Sequence, residues 1–189
     1  MSAVKPIAAR TVGTLLGLTL LLLGACSSAP VAVTDHDPSF DFTAVRTVAI
    51  LPVDRSVTPV AVLSDMQINR MNWDIGDELQ RKGMTLVNEL SEADLLISWH
   101  LVTQQRTDVR TYNSSIRYSN CWNCAPSTNV RVQQFTQGTL IVDGVDPVRM
   151  QSVWRSVLED RLREQPDAER AAEARRSAVA AVFHEFPPL

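Results

Sequence analysis

The chain has 189 residues, with 18 Lys and Arg against 21 Asp and Glu, a formal net charge of −3. That length suits one domain with a real core behind a short leader, and the lack of a basic excess argues against nucleic acid as a partner. Glycine is scarce, at seven residues, and no internal repeat is visible.

Lys5 and Arg10 make a short basic start, and no acid precedes Asp35. Residues 11 to 23 are apolar apart from Thr11, Thr14 and Thr19. That suits a signal-peptide core and falls short of the ~20 residues that span a bilayer. Gly24 and Ala25 are small enough for a signal peptidase. Leu23-Gly24-Ala25-Cys26 resembles the bacterial lipobox, in which cleavage between Ala25 and Cys26 makes the cysteine the first mature residue. The resemblance implies a thioether-linked diacylglycerol on Cys26 and an acyl chain such as palmitate on its amine. Two or three chains anchor stably where one does not, at ~0.8 kcal/mol per buried CH₂. The competing readings are a secreted protein with an accidental early cysteine, or an uncleaved anchor helix. Ser27-Ser28-Ala29-Pro30 is small and polar, as a flexible tether should be. Ser27 replaces the aspartate associated with inner-membrane retention, so the expected place is the outer membrane, facing the periplasm. Residues 1–25 are read as a lipoprotein signal peptide, 26–39 as lipidated tether and lead-in, and 40–189 as a single domain. The 164 mature residues keep 16 Lys and Arg against all 21 acids.

Past the tether, Val31-Ala32-Val33 forms a lead-in that pairs weakly, and Asp35-His36-Asp37-Pro38 turns. Thr47 to Val53 is short and β-branched, a buried strand stopped at Pro52. Ser64 and Asp65 open a helix that runs to about Lys82, with Ile68, Met71, Ile75 and Leu79 on one face and Gly83 as its C-cap. Met84 to Val87 is a short strand, and Ser91 to Asp94 a turn. Leu95 to Val102 alternates cleanly, Leu95, Ile97, Trp99 and Leu101 against Leu96, Ser98, His100 and Val102, and continues towards Val109 as a polar ribbon. Val130 to Val142 is a second long strand, Gly144 to Pro147 a tight turn, and Gln151 to Leu158 the last strand. Pro166 opens a closing helix with a face of Ala171, Ala174, Ala178, Val182 and Phe186. This order predicts an α+β fold, a mostly antiparallel, mixed sheet of about five strands with two helices packed on one face.

Several of these pieces, in this order, resemble the domain-of-unknown-function 4136 family of bacterial lipoproteins. The matching residues begin with Asp35-His36-Asp37, Phe40-Asp41-Phe42 and Val45-Arg46-Thr47. Leu79, Lys82-Gly83 and Ala93-Asp94-Leu95-Leu96-Ile97 follow. Gly138-Thr139-Leu140-Ile141-Val142-Asp143, Val153-Trp154-Arg155 and Phe186-Pro187 complete the set. The resemblance spans about residues 31 to 188. It implies an envelope-located α+β domain and supplies no catalytic residue. Many members carry a Gly/Tyr-rich insertion where this chain has Tyr112 to Asn129 with two cysteines.

Candidate chemistry is thin. Cys121-Trp122-Asn123-Cys124 reads first as a structural disulfide closing a long hairpin loop in an oxidising compartment. A redox dithiol normally sits at the start of a helix, and here Ala125-Pro126-Ser127 follows instead. A metal site would need two more ligands than one CxxC supplies. Asp35, Asp37 and Asp41 lack the glycine and terminal glutamate of a calcium loop and read as solvated turn carboxylates. His100 reads as a packing or hydrogen-bonding residue, Asp94 and Asp143 as turn or cap residues, and His184 as a cation near a helix end. There is no GxSxG, HExxH or phosphate loop. Tyr112, Tyr118 and Trp122 cluster in the polar loop, a composition suited to contact with a protein or glycan.

The expected protein is therefore a non-enzymatic lipoprotein without cofactor or metal, held at the membrane by lipid on Cys26. It binds an envelope protein or glycan, or supports envelope integrity, through the 104 to 136 hairpin. The alternatives are a thiol-disulfide redox protein using Cys121 and Cys124, and a small-ligand or metal carrier.

Overall fold

The computed structural model describes residues 31–53, 63–114 and 127–188, with side chains for all of these but 110–114 and 127–130. The elements are β1 (Val33–His36), β2 (Thr47–Ile50), α1 (Asp65–Arg81), β3 (Thr85–Leu86), β4 (Leu95–Ser114), β5 (Ser127–Asp146), β6 (Gln151–Arg161) and α2 (Ala168–Val182). They build one mixed six-stranded sheet in the order β1-β6-β5-β4-β2-β3. The fold is α+β as the sequence predicts, with one strand more than that reading counted.

The sheet has two halves. β1, β6, β5 and β4 are antiparallel, and β4, β2 and β3 are parallel. A parallel neighbour needs a crossover, and α1 supplies it between β2 and β3. Ser64 Oγ accepts the Gln67 N–H at 3.3 Å and Gln67 Oε1 accepts the Ser64 N–H at 2.9 Å, a reciprocal cap on the first turn of α1. Gly83, at φ +87°, takes the left-handed position that ends it. Ile75 and Leu79 are fully buried and Ile68 and Met71 pack beside them, the face that the periodicity predicts.

Four expectations need correction. β1 starts at Val33 and takes in Asp35 and His36, which the sequence reading gave to a turn. The turn predicted at Gly144 to Pro147 lies at residues 147–150 instead. Gly144 is a strand residue at a bulge beside Trp154, where a β-carbon would meet Leu95 Cδ2 at 3.2 Å and Trp154 Cβ at 3.4 Å. The glycine marks close packing rather than a reversal. Pro166 lies just outside α2, because Asp167 is the N-cap and its Oδ1 accepts the Arg170 N–H at 2.8 Å. The predicted α2 face holds at Ala178, Val182 and Phe186 but not at Ala174. Val179, Val182 and Phe183 are buried and Ala174 is exposed, since larger side chains remove more apolar area from water than alanines do.

The main core lies between the helices and one face of the sheet, with Val48, Leu95, Ile97, Trp99, Val142 and Trp154 on the sheet side. Trp99 Nε1 donates to Asn72 Oδ1 at 2.8 Å, and Arg175 pairs with the buried Asp74, so polar contacts fix α1 to both β4 and α2.

Candidate interaction surface

Ala25, Cys26, Cys121, Cys124, Tyr118 and Trp122 lie outside the described residues. The strands leading to the Cys-Trp-Asn-Cys segment are described, and they pair without a break from Leu96↔Val145 to Ser114↔Ser127. Among the described residues no three His, Cys, Asp or Glu side chains are grouped to hold a metal ion, and no helix is long and apolar enough to cross a membrane.

The carboxylates singled out in the sequence act as caps and braces. Asp37 Oδ1 accepts from the Ser39 hydroxyl at 2.6 Å and its N–H at 2.9 Å, and Asp41 Oδ1 from the Thr43 hydroxyl at 2.6 Å and its N–H at 3.0 Å. Those bonds, the hydroxyls foremost, hold both carboxyls below the usual range. Asp94 Oδ2 accepts the N–H groups of Thr47 at 2.8 Å and Arg46 at 2.9 Å, which fixes the start of β2 and lowers its own pKa. Asp146 closes the β5–β6 turn: its carboxylate takes Arg149 Nε at 2.6 Å and the Val148 N–H at 2.8 Å, and the Arg149 side chain is the main cause of its lowered pKa.

On the sheet face away from the helices, strand register sets out a polar row. Asp35, Arg155, Asp143 and Ser98 stand opposite one another across β1, β6, β5 and β4. Asp143 accepts Arg155 Nε at 2.7 Å, Arg155 Nη2 at 3.0 Å and the Ser152 hydroxyl at 2.8 Å. The Arg155 pKa is raised, chiefly by its hydrogen bond to Asp143. The next row is Val33, Val157, Ile141 and His100. His100 is half-buried, with Nε2 3.4 Å from Ser98 Oγ and Nδ1 without a hydrogen-bond partner among the described residues.

The most distinctive feature is the ribbon. β2 pairs with β4 at Leu95 to Ile97, and β6 pairs with β5 from Gln137 to Asp146. Beyond Gln104 and Gln137, β4 and β5 continue as a pair for ten further residues each. At the usual rise that is ~33 Å. Alternation gives the ribbon two faces. Gln105, Thr107, Val109, Val132, Gln134 and Thr136 share one, and Arg106, Asp108, Arg131, Gln133 and Phe135 share the other. Val109 and Val132 stand directly opposite, 57% and 59% exposed. On the other face the Arg161 guanidinium lies 3.7 Å over the Phe135 ring and reaches Asp108 Oδ2 at 3.4 Å. Residues 104–136 carry Arg106, Arg110, Arg117 and Arg131 against Asp108 alone, in a chain that is acidic overall. Sequence reading found the ribbon from its alternation but missed the Arg161–Phe135 stack, which joins residues 26 apart in sequence.

Shallow depressions also lie among the described residues. One, of about 360 Å³, lies among Phe42, Val45, Arg46, Lys82, Met84 and Pro187. Another, of about 410 Å³, lies along α2 beside Arg170 and Glu173.

Comparison with known proteins places this geometry. No curated protein sequence matches the chain. Among solved structures it is similar to a PDZ domain protein from Parabacteroides distasonis ATCC 8503, at 14% identity and TM-score 0.54, over 85% of this chain and 36% of that one. The chain thus spans about a third of that relative's length. It is also similar to a DUF4136 family protein from Bacteroides thetaiotaomicron VPI-5482, at 15% identity and TM-score 0.49, over 85% of this chain and 97% of that one. The PelC dodecamer from Paraburkholderia phytofirmans gives 11% identity and TM-score 0.42, over 81% of this chain and 94% of that one. The family described as "Domain of unknown function (DUF4136)" matches residues 32–188, most of the chain, and the chain belongs to that family.

Proposed function

We propose that this protein is a lipid-anchored envelope protein of the outer membrane, facing the periplasm, that works by binding rather than catalysis and uses the β4–β5 ribbon as its contact element. The observation that carries this reading is the ribbon itself. It projects ~33 Å past the sheet and is net basic on an acidic chain, so it suits a partner with an acidic surface, an envelope protein or a glycan. The buried carboxylates of Asp74, Glu78, Asp143 and Asp146, by contrast, already have cationic partners in Arg175, Arg81, Arg155 and Arg149.

The tether fits the same picture. Val33 pairs with Val157, so β1 begins at the end of the strand nearer the ribbon. Seven residue steps from Cys26 to Val33 reach ~25 Å at most. The ribbon extends further than that length, so a partner at the membrane lies within its reach.

Two measurements test the reading. Labelling with radioactive palmitate should mark the wild-type protein and leave Cys26→Ala unlabelled; an unlabelled wild-type chain overturns the anchor. Affinity purification from intact envelopes should recover a partner with the wild-type protein and lose it when residues 111–129 are replaced by a short turn. Recovery that ignores that replacement removes the ribbon from the account.

A further inference from the structure

β4 presents a long main-chain edge that nothing described covers. Leu51 donates its N–H to the Ile97 C=O across that edge at 2.8 Å, and no described strand lies beside β4 past that point. With the two-residue period, Trp99, Leu101, Thr103, Gln105, Thr107 and Val109 all direct their N–H and C=O groups outward. Past Gln104 this edge belongs to a ribbon of two strands. Two strands alone are marginal in water, and a third supplies what they lack. One charge near its middle is also unmatched among the described residues. Asp108 meets Arg161 from within the sheet, whereas Arg106, two residues away on the same face, has no ion-pair partner among the described residues.

We infer that a second copy of this chain covers the edge, β4 against β4, antiparallel about a two-fold axis at Thr107. A two-fold axis normal to the sheet requires each residue to face one equally far on the other side of the axis. Centred on Thr107, Arg106 of each copy faces Asp108 of the other, twice over. These are non-hydrogen-bonded positions, where opposite side chains stand closest. Thr107 faces Thr107, and Gln105 faces Val109. Moving the axis one residue towards Leu95 opposes Arg106 to Arg106, and one residue the other way opposes Asp108 to Asp108, so charge selects the register. The paired stretch then runs from His100 to Ser114 on each copy and stops short of Ile97, where Leu51 takes the edge. Pairing uses the edge and leaves both faces of the ribbon open to other partners, and it needs no lipid.

The test is sedimentation velocity on the full chain in detergent, with concentration varied up to about 100 µM. The wild type should self-associate to a dimer. Thr107→Pro removes an outward N–H without touching the β4–β5 ladder, and should weaken the dimer by at least about tenfold with an unchanged circular dichroism spectrum. Arg106→Asp is a surface change that keeps the fold, and it should weaken the dimer likewise. Arg106→Lys restores the charge without touching the Asp108–Arg161 pair, and should rescue the dimer that Arg106→Asp has lost. A wild type that stays monomeric throughout, or a dimer that ignores both single variants, overturns the pairing. If Thr107→Pro unfolds, the Arg106→Asp arm and its rescue decide.

Discussion

Arg155 on β6 grips both carboxylate oxygens of Asp143 directly opposite on β5, Nε at 2.7 Å and Nη2 at 3.0 Å. The two ends of this pair are unequal. The Asp143 side chain is 9% exposed and that of Arg155 56%. Removing the acid leaves an arginine that water can still solvate, whereas removing the arginine leaves a nearly buried carboxylate with Ser152 alone. Arg155→Leu should therefore cost about 2 kcal/mol and Asp143→Ala about 1 kcal/mol. Urea unfolding of the two variants checks the order, and equal or reversed costs contradict it.

The aromatic corner carries more. Phe186, beyond the end of α2, packs its ring 4.7 Å from Trp154, and Phe183 stacks on the same indole at 5.5 Å. Phe42 closes the group from the segment between β1 and β2. Phe186→Ala opens a cavity at the junction of three elements and should cost about 3 kcal/mol. A thermal midpoint lowered by less than a few degrees would show that the corner collapses around the gap.

Much of this was legible in the sequence. The Ile68, Met71, Ile75, Leu79 spacing found α1, and the alternation from Leu95 found β4, because each carries a buried face with a regular period. The family motifs turn out to mark braces: Asp94 on the start of β2, Trp154 and Phe186 in the corner, Asp143 against Arg155. What failed was local inference about small residues. Gly144 looked like a turn because its tertiary neighbour Trp154 is invisible in the chain around it. Ala171 and Ala174 looked like a helix face because alanine has the right spacing, but Val179 and Phe183 decide which way α2 turns. The edge of β4 past Ile97, without a neighbour among the described residues, was hidden for a related reason: which strand has a neighbour depends on the whole sheet order.

Acid should weaken the domain in a defined window. Asp37, Asp41, Asp94 and Asp146 all titrate below their ordinary value in the folded protein, through hydrogen bonds from Ser39, Thr43, the Thr47 N–H and Arg149 respectively. The unfolded chain then binds protons first as pH falls. The stability these groups give is present above the unfolded carboxyl value of ~3.9 and is lost as pH drops through the lowered folded values. Urea midpoints should hold between about pH 5 and 6 and fall below about pH 4. Asp94→Asn should shallow that fall, and a curve with an unchanged slope would remove Asp94 from the set.

The ribbon should be separable from the fold. The sheet proper ends at Gln104 and Gln137, and the core residues all lie on the body side of that line. Replacing residues 111–129 with a short turn should shift the thermal midpoint by no more than a few degrees, since little apolar area is lost from the body. A large drop would make the ribbon part of the folding unit.

The central claim is that the ribbon touches a partner at the envelope. The most direct measurement places a photoreactive residue at Gln133, on the Arg106 and Asp108 face, and irradiates living cells, with Glu173 on α2 as the control position. The account predicts a discrete adduct from 133, to a molecule other than a second copy, which disappears with Cys26→Ala and is missing from 173. Adducts of equal yield from both positions, or none from 133 in correctly anchored protein, would contradict it.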